Sequence, residues 1–201
     1  MNPEESYRLA QKIRKKCDGS RDPDRIAHTL GIEVYEFDLG NLKGMYSSAS
    51  RHRTIYLNKK LTGYLRRFVL MHEICHDQIP EHRRSARSRA YHDLLFFGGK
   101  DTSERDANAV AAHILIDQEE LVSEMQEGKS VQEIAQSLYV PEDLLLIAIE
   151  DYPKIHPELA AVRDAPAALR GGRLSERLHR RNVLTIFMLH RAYAWRKSPG
   201  L

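Results

Sequence analysis

Five consecutive residues have the types and spacing of a catalytic metal site: His72-Glu73-Ile74-Cys75-His76. In an α-helix, residues i and i+4 lie on the same face, so His72 and His76 would direct their imidazoles toward one ion. Nitrogen ligands of this kind bind Zn²⁺ at about 2.0–2.1 Å. Glu73 follows the first histidine and could reach a metal-bound water as its general base. The spacing therefore predicts metal-assisted hydrolysis.

The residues before the motif predict the element that carries it. Apolar side chains recur at broadly helical spacing over residues 61–74 and run into the motif. Thr62 is a candidate N-cap, although it lacks the Glu of a capping box. We therefore expect the motif near the C-terminal end of a half-buried helix, whose packing would hold the metal-binding face in place.

A catalytic zinc site needs a third protein ligand and an open fourth position. Residues 103–116 predict a second helix with a stripe of small and apolar side chains, and Glu104 lies one turn before that stripe. We predict Glu104 as the third ligand, with Asn108 supporting it by a hydrogen bond. Asp106 is the competing acid, and its rotation away from Glu104 predicts that it faces solvent.

These elements resemble the ImmA/IrrE family of metallo-endopeptidases. The matching pieces are a strand ending in a polar turn, the HExxH helix and a helix with a Glu-x-x-Ala-Asn motif, at residues 54–58, 68–76 and 104–111. The resemblance covers residues 5–150. It implies a zinc-dependent endopeptidase that cleaves a helix-turn-helix repressor and thereby regulates transcription of mobile-element or stress genes.

Two departures from the family pattern leave every predicted ligand in place. Cys75 stands where members often have a small residue such as Gly, and residues 114–117 replace a Leu-Met-Pro-like ending. Cys75 cannot share the i, i+4 alignment of the two histidines, so we interpret it as a small buried hydrophobe. The resident metal is predicted to be Zn²⁺, although His and Glu ligands also accept Mn²⁺.

A fourth protein ligand would close the site and indicate a structural metal. His82, His92 and His113 are the candidates, although histidines more often pack in the core or face solvent. A closed site would favour the alternative function, a non-catalytic regulator that binds a repressor or nucleic acid through a basic tail. Tyr46 could stabilise an oxyanion, but packing on neighbouring strands is the more frequent role of a strand tyrosine.

The predicted fold class is α+β. Residues 32–37, 44–49 and 53–57 are rich in β-branched and aromatic side chains, which predicts a small antiparallel sheet. The sheet should pack on the HExxH helix and the second ligand helix in a minimal zincin-like core, followed by a mainly helical C-terminal part. Its edge could hold an extended substrate segment by strand addition.

The sequence predicts three parts, at residues 1–129, 130–152 and 153–201. The first is the metallopeptidase domain, and the second is a helix-turn-helix-like pair. The second helix of that pair carries acids and lacks side chains that read bases, so it should pack in the core rather than bind DNA.

The third part begins with a hinge rich in proline and glycine and ends in a basic tail. Residues 166–201 contain eight basic residues and one acid, whereas the whole chain has a net charge of +3. Two interpretations stay open for an amphipathic helix over residues 174–195. It could cap the core with a solvated basic rim, or it could dock an acidic partner, a second copy of the chain or nucleic acid.

Composition predicts a cytoplasmic enzyme. A chain of 201 residues with 42% hydrophobic residues can bury a substantial core. Its two cysteines suit a reducing compartment. The first residues lack the features of a signal peptide, and no apolar run reaches the about 18 residues that a membrane span needs.

Overall fold

The computed structural model describes residues 1–49, 52–85 and 102–156. The chain divides into two compact units, Met1–Leu115 and Ile116–Leu201. His92, most of the basic stretch after the motif and the predicted tail lie outside the described residues. The predicted divisions after residues 129 and 152 stay predictions.

The first unit combines helices with one small sheet. Its described elements are α1 (Pro3–Lys16), α2 (Pro23–Leu30), β1 (Glu33–Phe37), β2 (Gly44–Ala49), β3 (His52–Asn58), α3 (Gly63–Gln78), α4 (Pro80–Ser85) and α5 (Thr102–Leu115). Local signals set the helix ends: Asn2 and Glu5 form a capping box at α1, and Asp22 caps α2. Helix α2 ends at Gly31, which adopts a left-handed φ of +67°.

The three strands lie in the order β1-β3-β2. Strand β2 is antiparallel to β3, with Tyr46 opposite Ile55, but β1 runs parallel to β3, with Val34 opposite Ile55. The prediction of a wholly antiparallel sheet was therefore wrong, because the sheet is mixed. Strand β3 takes the central place since its Ile55 and Leu57 are fully buried, whereas β1 is mostly exposed.

Helices α3 and α5 pack against each other, and α3 also contacts β2 and β3. Helix α3 buries its C-terminal half, and α5 buries small and apolar side chains that permit close packing, namely Ala107, Val110, Ala111, Ala112 and Ile114. This arrangement confirms the α+β class and places the motif of residues 72–76 inside the core.

The second unit is helical where it is described. Its elements are α6 (Gln118–Gln126), α7 (Val131–Ser137) and α8 (Glu142–Ile155). Ser130 and Glu133 form a capping box at α7, and α8 buries Leu144, Leu145 and Ile149. Helix α8 contains Pro153, although the predicted division after residue 152 had assigned this proline to the hinge. None of the described helices is long and apolar enough to cross a membrane.

Candidate metal centre

Two buried histidines on one face of α3 form the base of the site. His72 and His76 are four residues apart, and their Nε2 atoms lie 2.9 Å from each other. Helix α3 begins after Thr62, as predicted, although the Thr62 side chain makes no capping hydrogen bond. Two facing lone pairs at 2.9 Å require a proton or a cation between them, because otherwise they repel.

Helix α5 contributes the third member of the cluster. The Glu104 carboxylate oxygens lie 3.1 Å from His72 Nε2 and 3.4 Å from His76 Nε2, and its side chain is 23% exposed. Glu104 stands in the first turn of α5, one turn before the buried Ala107 that packs toward the core. The helix packing thus brings Glu104, which follows His76 by 28 positions, together with the two histidines into one group that could hold a metal ion.

The spacing of the ligand atoms fits a small tetrahedral ion. Two ligands at about 2.05 Å from zinc, with a tetrahedral angle between them, are about 3.3 Å apart. The separations among His72, His76 and Glu104 are 2.9, 3.1 and 3.4 Å. In addition, neither Glu104 carboxylate oxygen makes a hydrogen bond to another described residue. Two nitrogens and one carboxylate are a donor set that Zn²⁺ accepts.

The other ring nitrogen of His72 fixes its tautomer. His72 Nδ1 donates a hydrogen bond to Asn108 Oδ1 over 2.8 Å, which leaves the lone pair on Nε2, facing His76 and Glu104. Asn108 was expected to support Glu104, and it instead orients His72. Buried metal-binding histidines are commonly held in this way by a second hydrogen bond.

Burial and mutual contact set the ionisation of the three side chains. Burial lowers the pKa of His76 to about 4, so its ring is neutral near pH 7. Burial alone would raise the pKa of Glu104, but its contacts with His72 and His76 outweigh burial and lower it. Burial would likewise lower the pKa of His72, and the contacts with Glu104 and Glu73 reverse this and raise it. The Glu104 carboxylate is therefore ionised beside two imidazoles.

Glu73 lies next to the cluster without belonging to it. Its side chain is fully buried, and its carboxylate oxygens make no hydrogen bond of normal geometry to any described residue. Burial, followed by the charge of Glu104, raises the pKa of Glu73 to about 7, although the nearby His72 and the backbone amide of Tyr46 oppose this. A fully buried carboxylate whose oxygens make no hydrogen bond of normal geometry is unusual unless it has a chemical use.

A comparison with protein families identifies the class of protein that carries this cluster. Residues 27–150 match the family model of the M78 peptidases, described as the IrrE N-terminal-like domain, which is more than half of the 201 residues. The chain belongs to the M78 peptidase family. The resemblance to ImmA/IrrE proteins is thereby confirmed. A search of curated proteins found no match.

The other candidate ligands of this M78 peptidase that the structure describes lie outside the cluster. Asp106 Oδ1 contacts the amino group of Met1 at 2.7 Å, and the His82 ring contacts the Nδ1 side of His76. His113 packs edge-on against Tyr7, with ring centroids 5.7 Å apart. Cys75 is buried, and burial raises the pKa of its thiol. Among the residues that the structure describes, the group that could hold a metal ion therefore consists of three side chains, His72, His76 and Glu104.

Sequence reasoning missed a buried carboxylate directly after the motif. Asp77 accepts a hydrogen bond from the Tyr46 hydroxyl over 2.7 Å and one from Arg53 Nη1 over 3.1 Å. Tyr46 therefore packs behind the metal cluster, as expected for a strand tyrosine, and burial together with the Asp77 contact raises its pKa to about 12. The available signal is the spacing of Leu70, Ile74 and Asp77, which places a carboxylate on the buried face of α3.

Gly44 of this M78 peptidase brings strand β2 against Glu73. A Cβ atom at position 44 would lie 2.8 Å from Val69 Cγ1 and 2.9 Å from Glu73 Oε1. Both distances are too short for real contacts, and the β-branched Val69 has little freedom to move away. Glycine is thus required here by space, because the strand passes directly over the Glu73 carboxylate.

Gly44→Ala should therefore lower the free energy of unfolding by about 1–3 kcal/mol, the usual cost of overpacking. Denaturant unfolding would measure it. Ser47→Ala on the same strand adds no atoms and serves as the matched control. Equal stability of Gly44→Ala and the control would contradict the close approach of β2 and Glu73.

Proposed function

We propose that the protein is a zinc-dependent endopeptidase in which His72, His76 and Glu104 hold the metal and Glu73 is the general base. The family supports a metallopeptidase-type activity. The observation that carries the assignment of residues is the buried group of two imidazoles and one carboxylate, with a second, unpaired carboxylate beside it. Three protein ligands with N and O donors are the ligand set of catalytic rather than structural zinc sites.

Each side chain of the site has a separate role in peptide hydrolysis. A bound Zn²⁺ would lower the pKa of a water molecule and polarise the scissile carbonyl. Glu73 accepts the proton of the attacking water and returns it to the leaving amine. Asn108 keeps the His72 lone pair directed into the site by accepting a hydrogen bond from His72 Nδ1–H. His72, Glu73 and His76 are buried, whereas Glu104 and Asn108 are half-buried. This burial keeps bulk water away from Glu73.

Strand β2 is the proposed binding edge for the substrate. It pairs with β3 on one side, and no other described strand pairs with its second side. Its first residue, Gly44, lies against Glu73. An extended segment added to this edge would run past the general base, held by main-chain hydrogen bonds. This placement supports an endopeptidase that accepts an extended internal segment of a protein.

The substrate that we propose is a helix-turn-helix transcriptional repressor in the cytoplasm. This proposal rests on the resemblance to the ImmA/IrrE family, which implies repressor cleavage. The alternative, a non-catalytic regulator with a structural metal, would need a closed coordination sphere. The three-ligand cluster among the described residues favours the enzyme.

Removing the metal should stop cleavage, and adding Zn²⁺ back should restore it. The assay incubates the full chain with a helix-turn-helix repressor from the same genome and detects the scissile bond by intact-mass spectrometry. Chelator-treated protein should leave the repressor whole, while stoichiometric Zn²⁺, with Mn²⁺ compared in parallel, should restore one defined cut. Cleavage that persists without metal would contradict the mechanism. An intact repressor with fully loaded protein would contradict the substrate.

A further inference from the structure

His82 lies behind His76, on the short helix that follows the motif. A single residue, Ile79, separates α4 from the end of α3, and the two helices are in contact. The His82 ring is buried, with a centroid 5.0 Å from that of His76 and an angle of 43° between the rings. The connection is short, so the position of His82 relative to the motif is set mainly by local backbone geometry.

The contact between the two rings is made by His76 Nδ1, the ring nitrogen that does not face the other members of the metal cluster. His76 Nδ1 lies 3.0 Å from His82 Nδ1, while His76 Nε2 faces His72 and Glu104. The two nitrogens of His76 thus point to different partners. His82 meets the ring on the side opposite to the metal ligands, which separates its role from that of a fourth ligand.

Proton placement in this pair follows from ligation. A neutral imidazole carries one proton, so a lone pair on His76 Nε2 requires the proton on Nδ1. His76 Nδ1 must then donate, and the group 3.0 Å away that can accept is His82 Nδ1. The hydrogen bond therefore selects one tautomer for each ring: Nδ1–H in His76 and Nε2–H in His82.

Helix α4 is itself fixed to the end of α3. Arg83 Nε donates a hydrogen bond to the backbone oxygen of Asp77 over 2.6 Å, and the backbone amide of Arg83 donates to Ile79 O over 3.0 Å. These bonds act on the residue next to His82. They limit how far the His82 ring can move away from His76.

We propose that His82 is a positioning residue that fixes the tautomer and ring orientation of His76 for metal binding. Asn108 does the same for His72, so the Nδ1 atom of each proposed metal-binding histidine faces a hydrogen-bond acceptor. The usual acceptors behind such histidines are carboxylates, backbone carbonyls or water, and here an imidazole takes that place. The inference rests on the proposed metal site.

The test compares His82→Asn with His82→Leu. The two side chains have nearly the same shape, but Asn carries an acceptor oxygen on the Cγ atom that bears Nδ1 in histidine. We expect His82→Leu to raise the dissociation constant for Zn²⁺ by about 10–100-fold, as loss of such a partner commonly does. His82→Asn should stay within about threefold of the wild type because it keeps the acceptor. Competition with a chromophoric chelator measures both constants.

Controls separate this effect from loss of fold and from failure of the metal site. His28→Leu removes an exposed histidine and should leave the constant unchanged. Thermal unfolding of the metal-free variants verifies folding, and His82→Phe replaces His82→Leu if the latter does not fold. Tight Zn²⁺ binding by His82→Leu, or equal weakening by Asn and Leu, would overturn the role of His82 alone. A wild-type chain that binds no stoichiometric Zn²⁺ would overturn the metal site together with this inference.

Discussion

Glu73→Gln should abolish peptide hydrolysis while the protein still binds its metal. The amide has nearly the shape of the carboxylate, but it cannot accept the proton of the attacking water, and general bases contribute about 10²–10⁴-fold to rate. The side chain is outside the three-ligand cluster, so the ligands remain. The measurement is kcat on the cleaved substrate, combined with metal content per chain from elemental analysis.

The same substitution should not harm the fold. Burial raises the pKa of Glu73 to about 7 from 4.5, so the folded metal-free chain holds a proton that the unfolded chain releases at lower pH. Ionisation of Glu73 therefore costs the metal-free protein stability increasingly as the pH rises above 4.5 toward 7, and Gln carries no such cost. At pH 8 we expect metal-free Glu73→Gln to be at least as stable as the wild type.

Two matched variants make the result specific. His72→Ala removes a proposed ligand, so it should lose metal and activity together. Glu81→Gln changes an acid whose side chain is 70% exposed, so it should keep both. Retained cleavage by metal-loaded Glu73→Gln would remove the general-base assignment. Metal binding of normal affinity in His72→Ala would remove the ligand assignment.

The sequence predicts best what depends on local geometry. The i, i+4 spacing places His72 and His76 side by side in any helix, and caps such as Asn2 and Asp22 set helix ends within a few residues. Glu104 could also be predicted, because the small residues of α5 show which face meets the core and Glu104 precedes that face by one turn.

Contacts that depend on how elements are placed against each other could not be predicted. The partner of Asn108 depends on the rotation of α5 against α3, and one helical turn separates Asn108 from Glu104. Strand β3 lies between β1 and β2. Predicting this order would require knowing which of the three strands is most buried, and short apolar segments do not show that. The sequence shows that residue 82 is a histidine, but it does not show where the ring points. His82 was therefore considered as a metal ligand.

Asp77→Ala should cost the protein a large part of its stability. Asp77 is fully buried and joins three elements: the Tyr46 hydroxyl from β2 and Arg53 from β3 donate to its carboxylate, and Arg83 Nη2 of α4 lies 3.6 Å away. Removing one partner of a buried ion pair costs about 3–5 kcal/mol. The Arg53 and Arg83 side chains are 29% and 44% exposed, and water can partly replace the lost contact, so we expect the lower end, about 3 kcal/mol.

Graded substitutions show which contact carries that stability. Asp77→Asn keeps an acceptor for the Tyr46 hydroxyl and loses the charge that faces Arg53, so its cost should lie between those of the wild type and Asp77→Ala. Tyr46→Phe removes only the hydroxyl and should cost about 0.5–1.5 kcal/mol. The double variant with Asp77→Ala should cost less than the sum of the two, because both remove the same hydrogen bond. Denaturant unfolding of the wild type and the four variants measures these differences. If Asp77→Ala unfolded within about 1 kcal/mol of the wild type, the pairing of Asp77 would contribute little, and the attachment of β2 and β3 to the end of α3 would have to come from apolar packing alone.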